Sequence, residues 1–242
     1  MPKSIYEDIF IDLKNKIEQK EYEYGSLLPS ENELIKVYAC SRNTIRRAIS
    51  KLTNMGYTQP IHGKGVHIIY AKTNEYPQFF DLNSIDGLGQ SAKKHGFIVE
   101  NEVLDFSVLK VNEHLSKKSG FTEGVEVYFI QRLRKVDGVN KMLDNTFLRK
   151  DMFPNLKKEN VEKSLFDYIE KKTNIIVQTI KRNITIEKAT SFDEKHLHLD
   201  GYNCLAIINS NVYSADGIQI EYTESRNRPD LFAYNTVVTR NK

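Results

Sequence analysis

The chain has 242 residues, 40% hydrophobic and 28% charged, with a formal net charge of +3, which suits one or two globular domains with full cores. Two cysteines, Cys40 and Cys204, exclude a disulfide scaffold and fit no metal motif, and Cys204–Ile208 is far short of the ~18 apolar residues of a membrane span. Glu7, Asp8 and Asp12 stand where a signal peptide would be apolar, so a reducing, cytoplasmic setting is expected.

Ser4-Ile5-Tyr6-Glu7 has the form of a capping box, and Ile5, Ile9, Leu13 and Ile17 follow at four-residue steps, which predicts a first helix. A second capping box, Ser30-Glu31-Asn32-Glu33, opens a short helix with Leu34, Val37 and Tyr38 inward. After Ala39-Cys40, Ser41 caps a third helix whose buried stripe is Ile45, Ala48, Ile49 and Leu52, closed by Gly56. Its outer face carries Arg42, Asn43, Arg46, Arg47 and Ser50. From Leu34 to Asn74 there is no Asp or Glu. Two short helices with a tight turn, the second basic near its start, describe a helix-turn-helix. Arg reads guanine and Asn reads adenine in a major groove, while Ser30, Ser41 and Thr44 near helix N-termini suit phosphate oxygens. Tyr57–Ile61, His62-Gly63-Lys64-Gly65 and Val66–Tyr70 then read as strand, glycine turn, strand: a wing with Lys64 at its tip.

Residues 71–80 read as a linker. Beyond it the expected elements are a helix over Leu82–His95, a strand over Val99–Val111, a helix over Asn112–Ser119 and a hairpin of Val125–Val136 with Met142–Arg149 through Asp137-Gly138. A helix over Ser164–Lys172, with Leu165, Tyr168 and Ile169 inward, precedes a strand over Ile175–Glu187 and a helix over Asp193–Leu199. Strands over Asn203–Tyr213, Gln219–Ser225 and Ala233–Arg240 complete the chain. Antiparallel strands with helices on one side make this an α+β domain. Hydrolase, phosphate-loop and zinc-protease motifs are absent, and His196 and His198, two apart on a helix, point to different sides and make no metal site. No catalytic residues, metal or cofactor are expected. Arg132 and Arg134 lie two apart on one strand and share a face, which suits a phosphate or carboxylate ligand as well as a solvent-facing edge. Glu221–Arg228 is a second polar constellation.

The motifs Leu28-Pro29-Ser30-Glu31, Ser41–Ala48, Leu52, Gly56-Tyr57 and His62–Gly65 resemble the winged helix-turn-helix of GntR-family bacterial transcription factors. That resemblance implies a homodimer on pseudo-palindromic operator DNA, with contacts from Ser30, Arg42, Thr44, Arg46, Lys64 and Gly65; Asn43 joins them by its place on the outer face. Residues 79–240 are similar to the UTRA effector domain of the HutC branch, a chorismate-lyase-like fold. The matching segments are Asn83-Ser84, Arg132-Leu133-Arg134, Asp144, Ser164–Tyr168 and Glu221-Tyr222 running to Arg226. In relatives that sense sugar phosphates this implies Ser84, Arg132, Arg134 and Ser164 on the phosphate, and Asp144 and Glu221 on hydroxyls; Arg226 is placed in the same site. Tyr222–Asp230 and Ser164–Glu170 look like a subfamily of repressors whose inducer is trehalose 6-phosphate. The resulting expectation is a DNA-binding domain over 1–70, a linker over 71–80 and an effector and dimerisation domain over 81–242. Three alternatives stay open: another sugar phosphate, amine or carboxylate as effector, a chorismate-lyase-like enzyme, and a sequence-independent nucleoid protein.

Overall fold

The computed structural model describes residues 5–71, 85, 88–233 and 236–238. Residues 5–71 and 236–238 form one compact unit; 85 and 88–233 form another. The Ser4 cap, Ser84 and most of the 71–80 linker lie outside the described residues.

In the first unit, helix α1 (Ile5–Glu18) packs on α3 (Arg42–Asn54), with α2 (Glu31–Tyr38) beside it. The four-residue spacing in α1 puts Ile9, Leu13 and Ile17 in the core, joined by Phe10; Ile5 is exposed. The second capping box forms as expected: the Ser30 N–H donates to Glu33 at 2.7 Å, and the Glu33 N–H donates to Ser30 Oγ at 3.3 Å. Leu34 is buried, but Val37 is turned to solvent, and Ile35 and Tyr38 cover the core edge in its place. Ala39 takes the left-handed conformation (φ 47°) that lets the chain reverse within two residues. Ser41 caps α3, and Ile45, Ala48, Ile49 and Leu52 all pack inward. Gly56 is required twice over. Its φ is +77°, and a Cβ there would lie 2.8 Å from Val237 Cγ2. The wing follows as the antiparallel pair β1 (Thr58–Ile61) and β2 (Gly65–Ile68).

The second unit is built on one antiparallel six-stranded sheet, in the order β3-β4-β5-β8-β7-β6. Its strands are β3 (Val99–Lys110), β4 (Glu126–Val136), β5 (Val139–Arg149), β6 (Val177–Lys188), β7 (Cys204–Ser214) and β8 (Gln219–Asn227). The β4–β5 hairpin turns on Asp137 and Gly138, both at positive φ. Among the helices, α4 (Leu88–His95), α6 (Lys158–Lys163) and α7 (Leu165–Lys172) pack with Tyr128, Ile130, Val136 and Leu148 on one sheet face. Helices α5 (Glu113–Ser119) and α8 (Ser191–His196) serve the other face, where Leu115 meets Val127 and Tyr222, and Leu197 meets Leu133, Leu143 and Ile207. The expectation of helices on one side is therefore corrected. Both faces of β4 and β5 carry large apolar side chains, so both demand cover. The final strand expected over 233–240 is absent where it is described: residues 236–238 have no strand pairing, and residue 233 has none. Helix α6 was not foreseen; it is barely two turns long, and Val161 is its one buried residue.

Candidate DNA-reading helix and effector pocket

Helix α3 presents its polar face as the sequence predicts. Arg42, Asn43 and Arg46 are exposed, Arg46 one turn on from the other two. Arg47 lies instead across the Tyr6 ring, 4.0 Å from its centroid. At the start of α3 the Ser41 and Thr44 hydroxyls are 2.8 Å apart, next to the helix's unpaired N–H groups. Lys64 and Gly65 stand exposed on the wing, Gly65 at φ +100°. Ser30 is exposed too, but its hydroxyl already accepts the Glu33 N–H. Both arginines have protein partners: Arg46 Nε donates to both oxygens of Glu31 at 2.9 and 3.1 Å, and Arg42 Nη2 donates to Asn32 at 2.7 Å. Glu31 and Asn32 were missed, because in sequence they read only as the first turn of α2.

The second unit holds a cavity of about 370 Å³ over the middle of the sheet. Strand register explains its lining. Arg132 faces Asp144, which faces Ser225, which faces Ile208; one row on, Thr146, Thr223, Ser210 and Arg182 stand side by side. Glu221 follows on β8, opposite Val212. Because side chains alternate along a strand, all of these rise from one face.

Arg132 is 4% exposed, donates weakly to Thr146 at 3.3 Å, and has an Nε with no hydrogen-bond partner. Burial, and then the neighbouring Arg134, pull its pKa down to about 10, so it stays charged at neutral pH. Arg134 is clamped: Nε donates to Asp144 at 2.5 Å and Nη1 to Asn101 at 3.1 Å. Asp144 also accepts from Ser225 Oγ at 2.5 Å. Burial pushes the Asp144 carboxyl up, but Arg134 and Arg132 overcome this and hold it below its ordinary range. Glu221 goes the other way: burial raises it, only partly offset by the Thr223 hydroxyl at 2.6 Å and by Arg132. Ser164 lines the cavity while capping α7, its Oγ accepting the Asp167 N–H at 3.2 Å. The start of α7 thus faces the cavity close to two guanidiniums, which is chemistry suited to an anion.

Four expected effector residues therefore line one cavity: Arg132, Arg134, Ser164 and Glu221. Asp144 lies beneath the arginines as their counter-ion and is no part of the wall. Arg226 is corrected outright. It projects from the opposite face of β8, where Nε and Nη2 donate to Asp193 at 2.9 and 2.8 Å, tying α8 to the sheet. The alternation that puts Glu221 in the cavity puts Arg226 outside it, and it also puts Thr223 and Ser225 in, which the sequence reading overlooked.

Residues 5–68 match the family model of bacterial regulatory proteins of the gntR family, and residues 94–233, more than half the chain, match the UTRA domain. The chain belongs to the GntR family, in its UTRA branch. A curated GntR relative, the HTH-type transcriptional regulator TreR of Bacillus subtilis (strain 168), is 29% identical over 234 residues, 97% of both chains. The structure of the B. subtilis trehalose repressor (TreR) effector-binding domain superposes with a TM-score of 0.53 at 28% identity, covering 59% of this chain and 99% of that one. The possible transcriptional regulator YydK of B. subtilis shares the fold at 18% identity and a TM-score of 0.73, over 99% of this chain and 100% of that one. No described helix is long and apolar enough to cross a membrane. As a GntR-family member with a UTRA domain, the chain is a transcriptional regulator.

Proposed function

We propose that this regulator is a homodimeric repressor of a sugar-utilisation operon, released from its operator by a sugar phosphate, with trehalose 6-phosphate as the first candidate. The observation that carries the effector class is the pair of guanidiniums, buried Arg132 and its neighbour Arg134, that line one cavity. A phosphate oxygen meets such donors with charge-assisted bonds. Arg134, Ser164 and the first turn of α7 surround the same space. The TreR likeness over the full chain supports trehalose 6-phosphate among sugar phosphates. Arg42, Asn43, Thr44 and Arg46 would enter the major groove of each half-site, with Ser30, Lys64 and Gly65 on the backbone. The effector acts by binding better to a state in which the two recognition helices no longer match two half-sites.

The test is fluorescence anisotropy with the DNA upstream of the regulator's own gene cluster, at fixed salt because affinity depends on it. Trehalose 6-phosphate is titrated against free trehalose and glucose 6-phosphate. Release by trehalose 6-phosphate at concentrations where trehalose does nothing is the expected outcome. Tight operator binding that no sugar phosphate relieves would overturn the effector assignment.

A further inference from the structure

The cavity reaches further along the sheet than an anion site needs. The two arginines and Ser164 stand at its β4 end, whereas Arg182 and Ser210 line it from β6 and β7. In the order β4-β5-β8-β7-β6, Arg132 and Arg182 are four strand spacings apart, about 19 Å of sheet. Between them the lining carries two hydroxyls on β8, Thr223 and Ser225. Beyond them stand Val212, Ile180 and Ile208, apolar surface next to Arg182. Hydroxyls and a guanidinium set beside aliphatic side chains are what a sugar ring asks for, with donors for its oxygens and a flat surface for its C–H face. A phosphate held at the β4 end and followed by one hexose ring reaches the central strands. Only a second ring extends to β6.

We propose that Arg182 and Ser210 form a second subsite that recognises the unphosphorylated ring of a phosphorylated disaccharide, and so set the length of effector that the regulator accepts. The assignment rests on the sugar-phosphate reading above. Arg182 donates to ring hydroxyls, and Ser210, directly opposite it across the β6–β7 ladder, both donates and accepts. The phosphate end provides affinity for any sugar phosphate, and the β6 end provides choice among them. A site built to hydrogen-bond hydroxyls discriminates strongly against a ligand that lacks them, because its polar groups are then left unpaired.

The experiment is isothermal titration of the full-length protein with trehalose 6-phosphate and with glucose 6-phosphate, for wild type, Arg182→Gln, Ser210→Ala and Arg132→Gln. Operator binding without ligand serves as the folding check for each variant. The expected result is a wild-type preference for trehalose 6-phosphate that falls at least tenfold in Arg182→Gln and several-fold in Ser210→Ala, while Arg132→Gln weakens both ligands together. If Arg182→Gln weakens both ligands equally, or leaves the preference intact, the second subsite does not exist. Wild-type protein that binds both ligands equally well overturns the subsite and leaves the sugar-phosphate reading standing. Wild-type protein that binds neither overturns both.

Discussion

A carboxyl group withdrawn from bulk water keeps its proton longer, and the half-buried Glu221 is such a group. The consequence for stability has a definite sign. Below about pH 4.3, the ordinary value for Glu, the group is protonated in both folded and unfolded chains and costs nothing. As pH rises through its elevated folded value, the unfolded chain ionises more readily and the fold loses stability. Glu221→Gln should therefore raise the melting temperature at neutral pH, and the advantage should vanish near pH 4; thermal melts across that range check it, and an equal shift at every pH would show that charge is not the cause. Asp144 has the opposite sign: its depressed value contributes stability above about 3.9, lost on acidification. The difference between these two acids was invisible in sequence, because it comes from which strand lies next door. Asp144 faces Arg132 across the β4–β5 ladder, whereas Glu221 has Leu148 on one side and Val212 on the other.

At the scale of elements, the helix-turn-helix was legible almost to the residue, since caps, spacing and turn chemistry are local. What local patterning could not show is the bridge between the first turns of α2 and α3. Glu31 takes Arg46 by both oxygens and lies 3.8 Å from Arg42 Nε. In water such an exposed pair is worth little for stability, but it restricts where the Arg46 and Arg42 side chains proposed to read bases can point. Glu31→Gln should therefore leave the fold intact and lower the ratio of operator to random-sequence affinity by about tenfold, each direct base contact being worth about 1–3 kcal/mol. Competition binding with both DNAs at one salt concentration measures this; a ratio that holds steady would make the pair incidental. The sheet shows the opposite balance. Its strands were legible in their places, yet Arg226 was assigned to the wrong face although period-two alternation from Glu221 excludes it. Tertiary pairing with Asp193 also explains why a charged residue is buried there.

At the scale of the whole molecule, the reader and the sensor are separate compact units of one regulator, and what must pass between them is a free energy. If effector weakens operator binding by some factor, operator DNA must weaken effector binding by the same factor. Couplings of this kind run about 1–3 kcal/mol, or 5- to 150-fold. Titrating trehalose 6-phosphate into the protein with and without saturating operator should give that loss; an effector affinity untouched by DNA would break the release scheme. The cavity itself was only half legible. Paired Arg132 and Arg134 on one strand face were legible and do line the cavity, but the reach to Arg182 depends on β6 lying at the far side of β7, a non-local fact of strand order.

That strand order has a practical meaning. Strand β4 lends two side chains to the cavity and β8, β7 and β6 three each, while much of the packing that holds the sheet together sits elsewhere, around Leu133, Leu143, Leu197 and Ile207 and around Val127, Leu115 and Tyr222. The polar lining is thus largely separate from the packing, whereas Val212, Val177 and Ile180 belong to both. A library restricted to the polar positions Arg182, Ser210 and Thr223 would re-aim the protein at new metabolites with little cost in folding, which makes this scaffold a starting point for transcriptional biosensors whose analyte is chosen strand by strand.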